Sequence, residues 1–199
     1  MRQNYVAGDR LPLVLGLAGS PREGSNSGAL LEKALEGAES AGARTELVRI
    51  SDLHIEPCRA CGGCNSGKGC VQDDDMGKLA EKLKACNHVI LATPVHFLGP
   101  PATVKAVIDR CQQFWEDRYR LGRPPVHDSS GSRALLIATA AANVFKPLEL
   151  IVRAFFAVLG FGIVDPFLAK GLEEPGAVAN HPEYFDSARE AGRRLVGGA

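Results

Sequence analysis

The sequence predicts a three-layer α/β fold in which helices cover both faces of a five-stranded parallel sheet. Short apolar runs bounded by turn residues alternate with longer stretches of helical periodicity, the rhythm of consecutive βαβ units. Several of those runs are apolar throughout instead of alternating with polar residues, which suits strands buried on both faces. The chain has 199 residues, 45% hydrophobic and 23% charged, which fits one well-buried core. Right-handed crossovers restrict this rhythm to doubly wound topologies, whose ligands bind beyond the carboxyl ends of the strands.

Residues 11–18 (LPLVLGLA) read as the first strand, ending in Gly-Ser. Over 27–41, Leu30, Leu31, Ala34, Leu35 and Ala38 recur at helical spacing, and Gly42 supplies the stop. Residues 44–50 alternate as a second strand, and a loop rich in cysteine and glycine covers 56–75. Leu79 and Leu83 mark a helix over 76–86, and HVILAT at 88–93 is a third buried strand. Pro100 and Pro101 stand where the next helix begins, with Val104, Val107 and Ile108 on one face. Gly122, Pro124 and Pro125 argue for a loop across 116–133. Residues 134–138 read as the fourth strand, 148–159 as an apolar helix, 163–168 as the fifth strand and 183–196 as an amphipathic helix. Residues 1–10 are polar and read as a flexible arm, leaving 11–199 as a single domain.

Basic and acidic residues balance at 23 each, so no general attraction to nucleic acid or to a membrane is expected. No apolar run reaches the length of a membrane span and no signal-peptide core opens the chain, which predicts a cytoplasmic protein. In a reducing compartment, clustered thiols stay available as ligands.

Directly after the first strand comes GSPREGSNS, leading into the first helix. A helix N-terminus offers unpaired N–H groups and the positive end of its dipole to an anion. Ser20, Ser25 and Ser27 add hydroxyls, Asn26 an amide and Arg22 a guanidinium, so the loop reads as a phosphate cradle. It is neither a Walker loop nor a G-x-G-x-x-G fingerprint, and the simpler reading is a turn whose serines cap the helix.

Four of the six cysteines, Cys58, Cys61, Cys64 and Cys70, fall within thirteen residues as C-x2-C-x2-C-x5-C. Three thiolates at this spacing on a glycine-rich loop can reach three corners of a [4Fe–4S] cube, and five residues with Gly67 and Gly69 let the fourth return to it. Zinc held by four cysteines, and thiols that carry no metal, are the competing readings. Cys86 and Cys111 read as buried small hydrophobes, and Asp73, Asp74 and Asp75 as caps of the helix that follows. Asp109 and Arg110 read as a local ion pair.

Together, GSPREGSNS, PCRACGGC…C with DDDM, and TPVHFLGPPATVKAVIDR resemble, in order, the NADPH-dependent FMN reductase-like flavoproteins, and among them the iron–sulfur flavoprotein branch. The resemblance covers about residues 13–110 and implies a flavodoxin-like fold with strand order 2-1-3-4-5. It implies that Ser20, Arg22, Ser25, Asn26 and Ser27 bind the FMN phosphate. Pro94, Val95, His96, Phe97, Leu98 and Gly99 would line the isoalloxazine ring, with His96 where the family often has tyrosine. After the fourth strand the family commonly has a glycine-rich loop; here TAAANVFKP stands instead, and only Thr139 and Ala140 carry over as flavin contacts.

What the resemblance implies for function is an FMN-dependent redox protein that moves electrons between flavin, a [4Fe–4S] cluster and an external donor or acceptor. Its donor would be NAD(P)H or ferredoxin, and it would form a homodimer or homotetramer, with Trp115 and Tyr119 as candidates for the subunit contact. No acid–base residue is expected, because the binding residues are the functional ones. The alternatives are an NAD(P)H-dependent FMN or quinone reductase without a cluster, and a cysteine-based redox or zinc-binding module.

Overall fold

The computed structural model describes residues 11–197; the segment 1–10, read as a flexible arm, lies outside the described residues. The strands β1 (Leu13–Ala18), β2 (Arg44–Arg49), β3 (His88–Pro94), β4 (Arg133–Ala140), β5 (Gly162–Ile163) and β6 (Phe167–Lys170) form one sheet. Its order is β2-β1-β3-β4-β5, with β6 also on β4, and every pairing is parallel. This is the flavodoxin-like doubly wound topology, in which the chain reverses direction across the sheet between β1 and β3. The central strands are buried from end to end because helices cover both faces, which is why they carry Val, Leu, Ile and Ala without alternation.

The helices α1 (Asn26–Ser40) and α6 (Pro182–Gly197) pack on one face. Gly37 and Gly192 bring their backbones together: a Cβ on Gly37 would stand 1.9 Å from the Arg189 carbonyl oxygen, and one on Gly192 would stand 1.8 Å from that of Ala34. The opposite face is covered by α2 (Met76–Ala85), α3 (Ala102–Arg110), α4 (Gln112–Trp115) and α5 (Lys146–Leu159), where Leu79, Leu83, Val104, Val107, Phe114 and Phe156 meet the sheet. Cys86 and Cys111 belong to this core; burial pushes the Cys86 thiol up to about 12 and raises that of Cys111 as well.

Two elements differ from the sequence reading. The fifth strand is divided: β5 pairs with Arg133 and Ala134, β6 pairs with residues 137–140, and Val164, Asp165 and Pro166 lie between. Pro166 has no N–H to give to the ladder, so pairing cannot run through it. Residues 116–120, expected in a loop, continue α4 as a π-helical turn, Glu116–Arg120, which turns the Glu116 side chain inward. At the amino end of the sheet, His88 and His127 are buried, each 8% exposed or less. Burial holds both imidazoles below their ordinary pKa; nearby Arg133 adds to this for His88, while the Leu83 carbonyl, 2.7 Å from His127 Nε2, opposes it. Among the described residues no helix is long and apolar enough to cross a membrane.

Candidate functional site

The first candidate site lies at the carboxyl ends of β1, β3 and β4, where this topology leaves a crevice. A pocket of about 240 Å³ is lined there by Ser20, Arg22, Ser25, Asn26 and Ser27, together with Pro94, Val95, His96, Thr139 and Ala140. The residues of the first loop do different work. Ser25 is the N-cap of α1, its Oγ accepting from the Gly28 N–H at 3.2 Å. Ser20 Oγ accepts from the Arg22 N–H at 3.2 Å and tightens the turn. Asn26 has both amide atoms engaged across the pocket: Nδ2 donates to the Glu174 carbonyl at 2.8 Å and Oδ1 accepts from the Val178 N–H at 3.1 Å. It therefore holds the segment after β6 against α1. Ser27 is 1% exposed and its Oγ has no hydrogen-bond partner. A buried hydroxyl left unbonded beside a helix N-terminus fits an anionic oxygen arriving from outside the chain.

Residues 94–99 divide in the same way. Pro94, Val95 and His96 line the pocket, and Phe97, Leu98 and Gly99 do not. His96 and Gly99 exchange two backbone hydrogen bonds, 2.8 and 2.9 Å, closing a two-residue turn over Phe97 and Leu98. Both turn residues have positive φ, 47° and 67°, a conformation L-residues adopt at a cost, and the Phe97 side chain is fully exposed. The Val95 N–H donates to the Thr139 carbonyl at 2.9 Å, tying the ends of β3 and β4 together. In this segment only the N–H groups of Phe97 and Leu98 give no bond to a backbone carbonyl.

The second candidate site is the loop that leaves β2. A 3-10 turn, Gly63–Ser66, carries Cys64 and is bracketed by Gly62 and Gly67, both at φ 71°. Cys58 and Cys61 are exposed, Cys64 and Cys70 half-buried, and all four line one cavity of about 510 Å³ with Arg110, Gln113 and Glu116. Burial raises the Cys64 thiol above its ordinary pKa, and Glu116, Cys70 and Cys58 push it the same way. Among the described residues no three Cys, His, Asp or Glu side chains are gathered closely enough to hold a metal ion, so the sulfurs line the cavity without converging. The donor set, four sulfurs on one cavity wall, fits the ligand chemistry of an iron–sulfur cluster and of zinc held by four thiolates.

Two arginines hold this loop from outside. Arg110 does not pair with its neighbour, as the sequence suggested; Asp109 pairs with Lys105 at 2.7 Å, and Arg110 reaches Asp74. Its two terminal nitrogens donate to the Asp74 carboxylate at 2.6 and 3.0 Å, and Nη1 also donates to the Glu56 carbonyl at 2.8 Å. The pair is buried, its side chains 1% and 3% exposed. Asp74 accepts in addition from the N–H groups of Glu56 and Met76, both at 3.0 Å, so it caps α2 and closes the loop at once. Burial alone would raise the Asp74 carboxyl, but Arg110 and the two N–H donors outweigh it and hold the pKa below the usual carboxylate range. At the far side, Arg123 Nη1 donates to the Gly67 carbonyl at 2.8 Å and to Asp117 at 2.7 Å.

Several of these residues escape a linear reading. Leu172, Glu173 and Pro175 also line the first pocket. They follow the last strand, and the rule that ligands sit at strand carboxyl ends points to them. Arg110 continues the buried stripe of Val104 and Val107 at i, i+3 spacing, so a charge there demands a partner. Glu116 gave no signal, because its inward aim depends on the π-helical turn.

Residues 12–160 match the family described as NADPH-dependent FMN reductase. The chain is 32% identical over 183 residues to an iron–sulfur flavoprotein of Archaeoglobus fulgidus, covering 92% of this chain and 78% of that one. It is 42% identical over 97 residues to the iron–sulfur flavoprotein of Methanosarcina thermophila, covering 49% of this chain and 51% of that one, so this match spans about half the relative's length. In fold it is similar to an NAD(P)H:quinone oxidoreductase from Methanothermobacter marburgensis, with TM-score 0.72 and 18% identity over 96% of this chain and 99% of the other. The chain belongs to the NADPH-dependent FMN reductase family, a family of flavin-dependent oxidoreductases, and within it to the iron–sulfur flavoprotein branch.

Proposed function

We propose that this flavin-dependent oxidoreductase binds FMN at the first pocket and moves electrons between the flavin, a [4Fe–4S] cluster on Cys58, Cys61, Cys64 and Cys70, and an external donor or acceptor. The observation that carries the reading is the single cavity shared by all four cysteines of the motif. The relatives named iron–sulfur flavoproteins support it. Bound FMN supplies a hydride acceptor that also exchanges single electrons, and a cluster supplies a one-electron carrier.

The chain's own groups then have distinct tasks. The Ser27 hydroxyl, the N–H groups opening α1 and the Arg22 guanidinium receive the phosphate, while Ser25 and Asn26 hold that N-terminus and the 174–178 segment in place. Pro94, Val95 and His96 form one wall and Thr139 and Ala140 another. The free N–H groups of Phe97 and Leu98 are the backbone donors available to the polar edge of the flavin ring. Leu98 and Gly99 complete the turn that presents them. NAD(P)H or ferredoxin is the electron donor in this reading, the setting is a reducing cytoplasm, and two or four copies assemble. Trp115 and Tyr119, 38% and 53% exposed, belong to that contact.

The test is anaerobic purification followed by flavin, iron and acid-labile sulfide analysis. One FMN with about four irons and four sulfides per chain is expected. FMN and NAD(P)H oxidation without iron would instead establish a reductase that works through flavin alone. Zinc at one per chain would assign the cysteines to a structural site.

A further inference from the structure

Arg110 is braced like a structural residue but is not saturated like one. Its terminal nitrogens are taken up by Asp74 and the Glu56 carbonyl, yet Nε, buried with the rest of the side chain, has no partner. The same residue lines the cavity of the four cysteines. Of the other charges on that wall, Asp109 pairs with Lys105 and the Arg59 Nε–H is bonded to Gln72, while the buried Glu116 lies 3.3 Å from Arg120 with its Oε2 making no hydrogen bond. Arg110 is thus the buried cation of the cavity, with one N–H in reserve.

We propose that Arg110 is a positioning residue that sets the reduction potential of the proposed cluster, its unpartnered Nε–H donating to a sulfur of the cavity it lines and its charge opposing the cluster's. This role rests on the cluster reading above. A cluster on four thiolates is anionic, and reduction adds one electron from an outside reductant with no bond made or broken. A fixed cation and an N–H···S bond both favour the reduced form. Asp74 moderates that field, since its carboxylate lies against the same guanidinium. The pair therefore works as two opposed adjustments of one potential.

The experiment is a redox titration of the anaerobically reconstituted full chain. The cluster is followed by electron paramagnetic resonance and the FMN by absorbance in the same sample. Arg110→Lys keeps the charge and removes the Nε–H, and lowers the cluster's reduced-to-oxidised ratio at fixed ambient potential by about threefold. Asp74→Asn leaves the cation unopposed and raises that ratio by about tenfold, which is 59 mV for a one-electron couple. The double variant Asp74→Asn/Arg110→Gln leaves no lone buried charge and lowers the ratio again. The FMN ratio stays constant throughout. Shifts of opposite sign are beyond a purely structural brace.

An unchanged cluster ratio, or shifts of one sign in all variants, overturns the role of Arg110 and leaves the cluster standing. Wild-type protein without iron and sulfide overturns both, and the FMN assignment survives. Failure of all three variants to fold assigns Arg110 to the brace alone and overturns it.

Discussion

The pocket at the end of β1 is made by the fold, whereas the cysteine cavity is made by a loop that the fold has to restrain. In the first, the β1 end, the α1 N-terminus and the paired ends of β3 and β4 place most lining groups through regular backbone hydrogen bonds, and Asn26 ties in the segment after β6. In the second, four sulfurs ride on a loop of 3-10 and left-handed conformations, and side chains from α3 and the segment after the π-helical turn hold it. On the proposed reading, a flavin phosphate would therefore meet a site preformed to within a hydroxyl, while a metal group on the cysteines would have to complete its own. Preorganisation in the one case comes from secondary structure, and in the other from two arginines.

The largest expected effect breaks the restraint on the second site. Arg110→Ala leaves Asp74 buried without a counter-ion and costs about 3–5 kcal/mol in urea unfolding at neutral pH. Acid acts on the same clamp. Asp74 has a folded pKa below its unfolded value, so its stabilisation is complete above about pH 4 and is lost as the pH falls through the folded value. An unfolding midpoint followed downward from pH 5 shows this loss in the wild type, and the Asp74→Asn/Arg110→Gln variant lacks it.

Smaller effects sharpen the first site. Ser27→Ala leaves the apoprotein as stable as before, because the hydroxyl has no partner to lose, and weakens FMN binding about tenfold in a fluorescence titration. Asn26→Ala does the reverse: the apoprotein loses about 1–2 kcal/mol with its two bonds to the 174–178 segment. The smallest effect returns to the second site. Arg123→Ala, removing a half-exposed contact, costs under about 1 kcal/mol and appears mainly as faster hydrogen exchange over 62–69.

The same contrast explains what was legible in the sequence. The succession of strands and helices and the position of the first loop follow from apolar runs and turn residues, which are local signals, while the strand order came from the family resemblance; so GSPREGSNS could be placed at a strand end from the sequence alone. What Ser25, Asn26 and Ser27 each do could not be, since three similar polar residues in a row are separated only by what lies across the pocket. Asn26 depends on Glu174 and Val178, about 150 positions away, as does the closure of the pocket by Leu172 and Pro175. The cysteine spacing announced a thiolate site at once. Its restraint did not, because Arg110 meets Asp74 across 36 residues and the local alternative, Asp109, was nearer in the chain. The division of the fifth strand was written in Pro166, whose missing N–H outweighs the apolar run around it.

That division has a consequence for solubility. A sheet edge with a continuous row of free N–H and C=O groups is a template on which another chain can add a strand and begin to aggregate. Here one edge is two short pieces with a proline between them, and the other is β2, carrying Arg44, Glu46 and Arg49 along its six residues. Neither offers an uncharged, unbroken ladder to a second copy. Among the described residues, the strand that looked merely interrupted thus works against growth of the sheet from one molecule to the next.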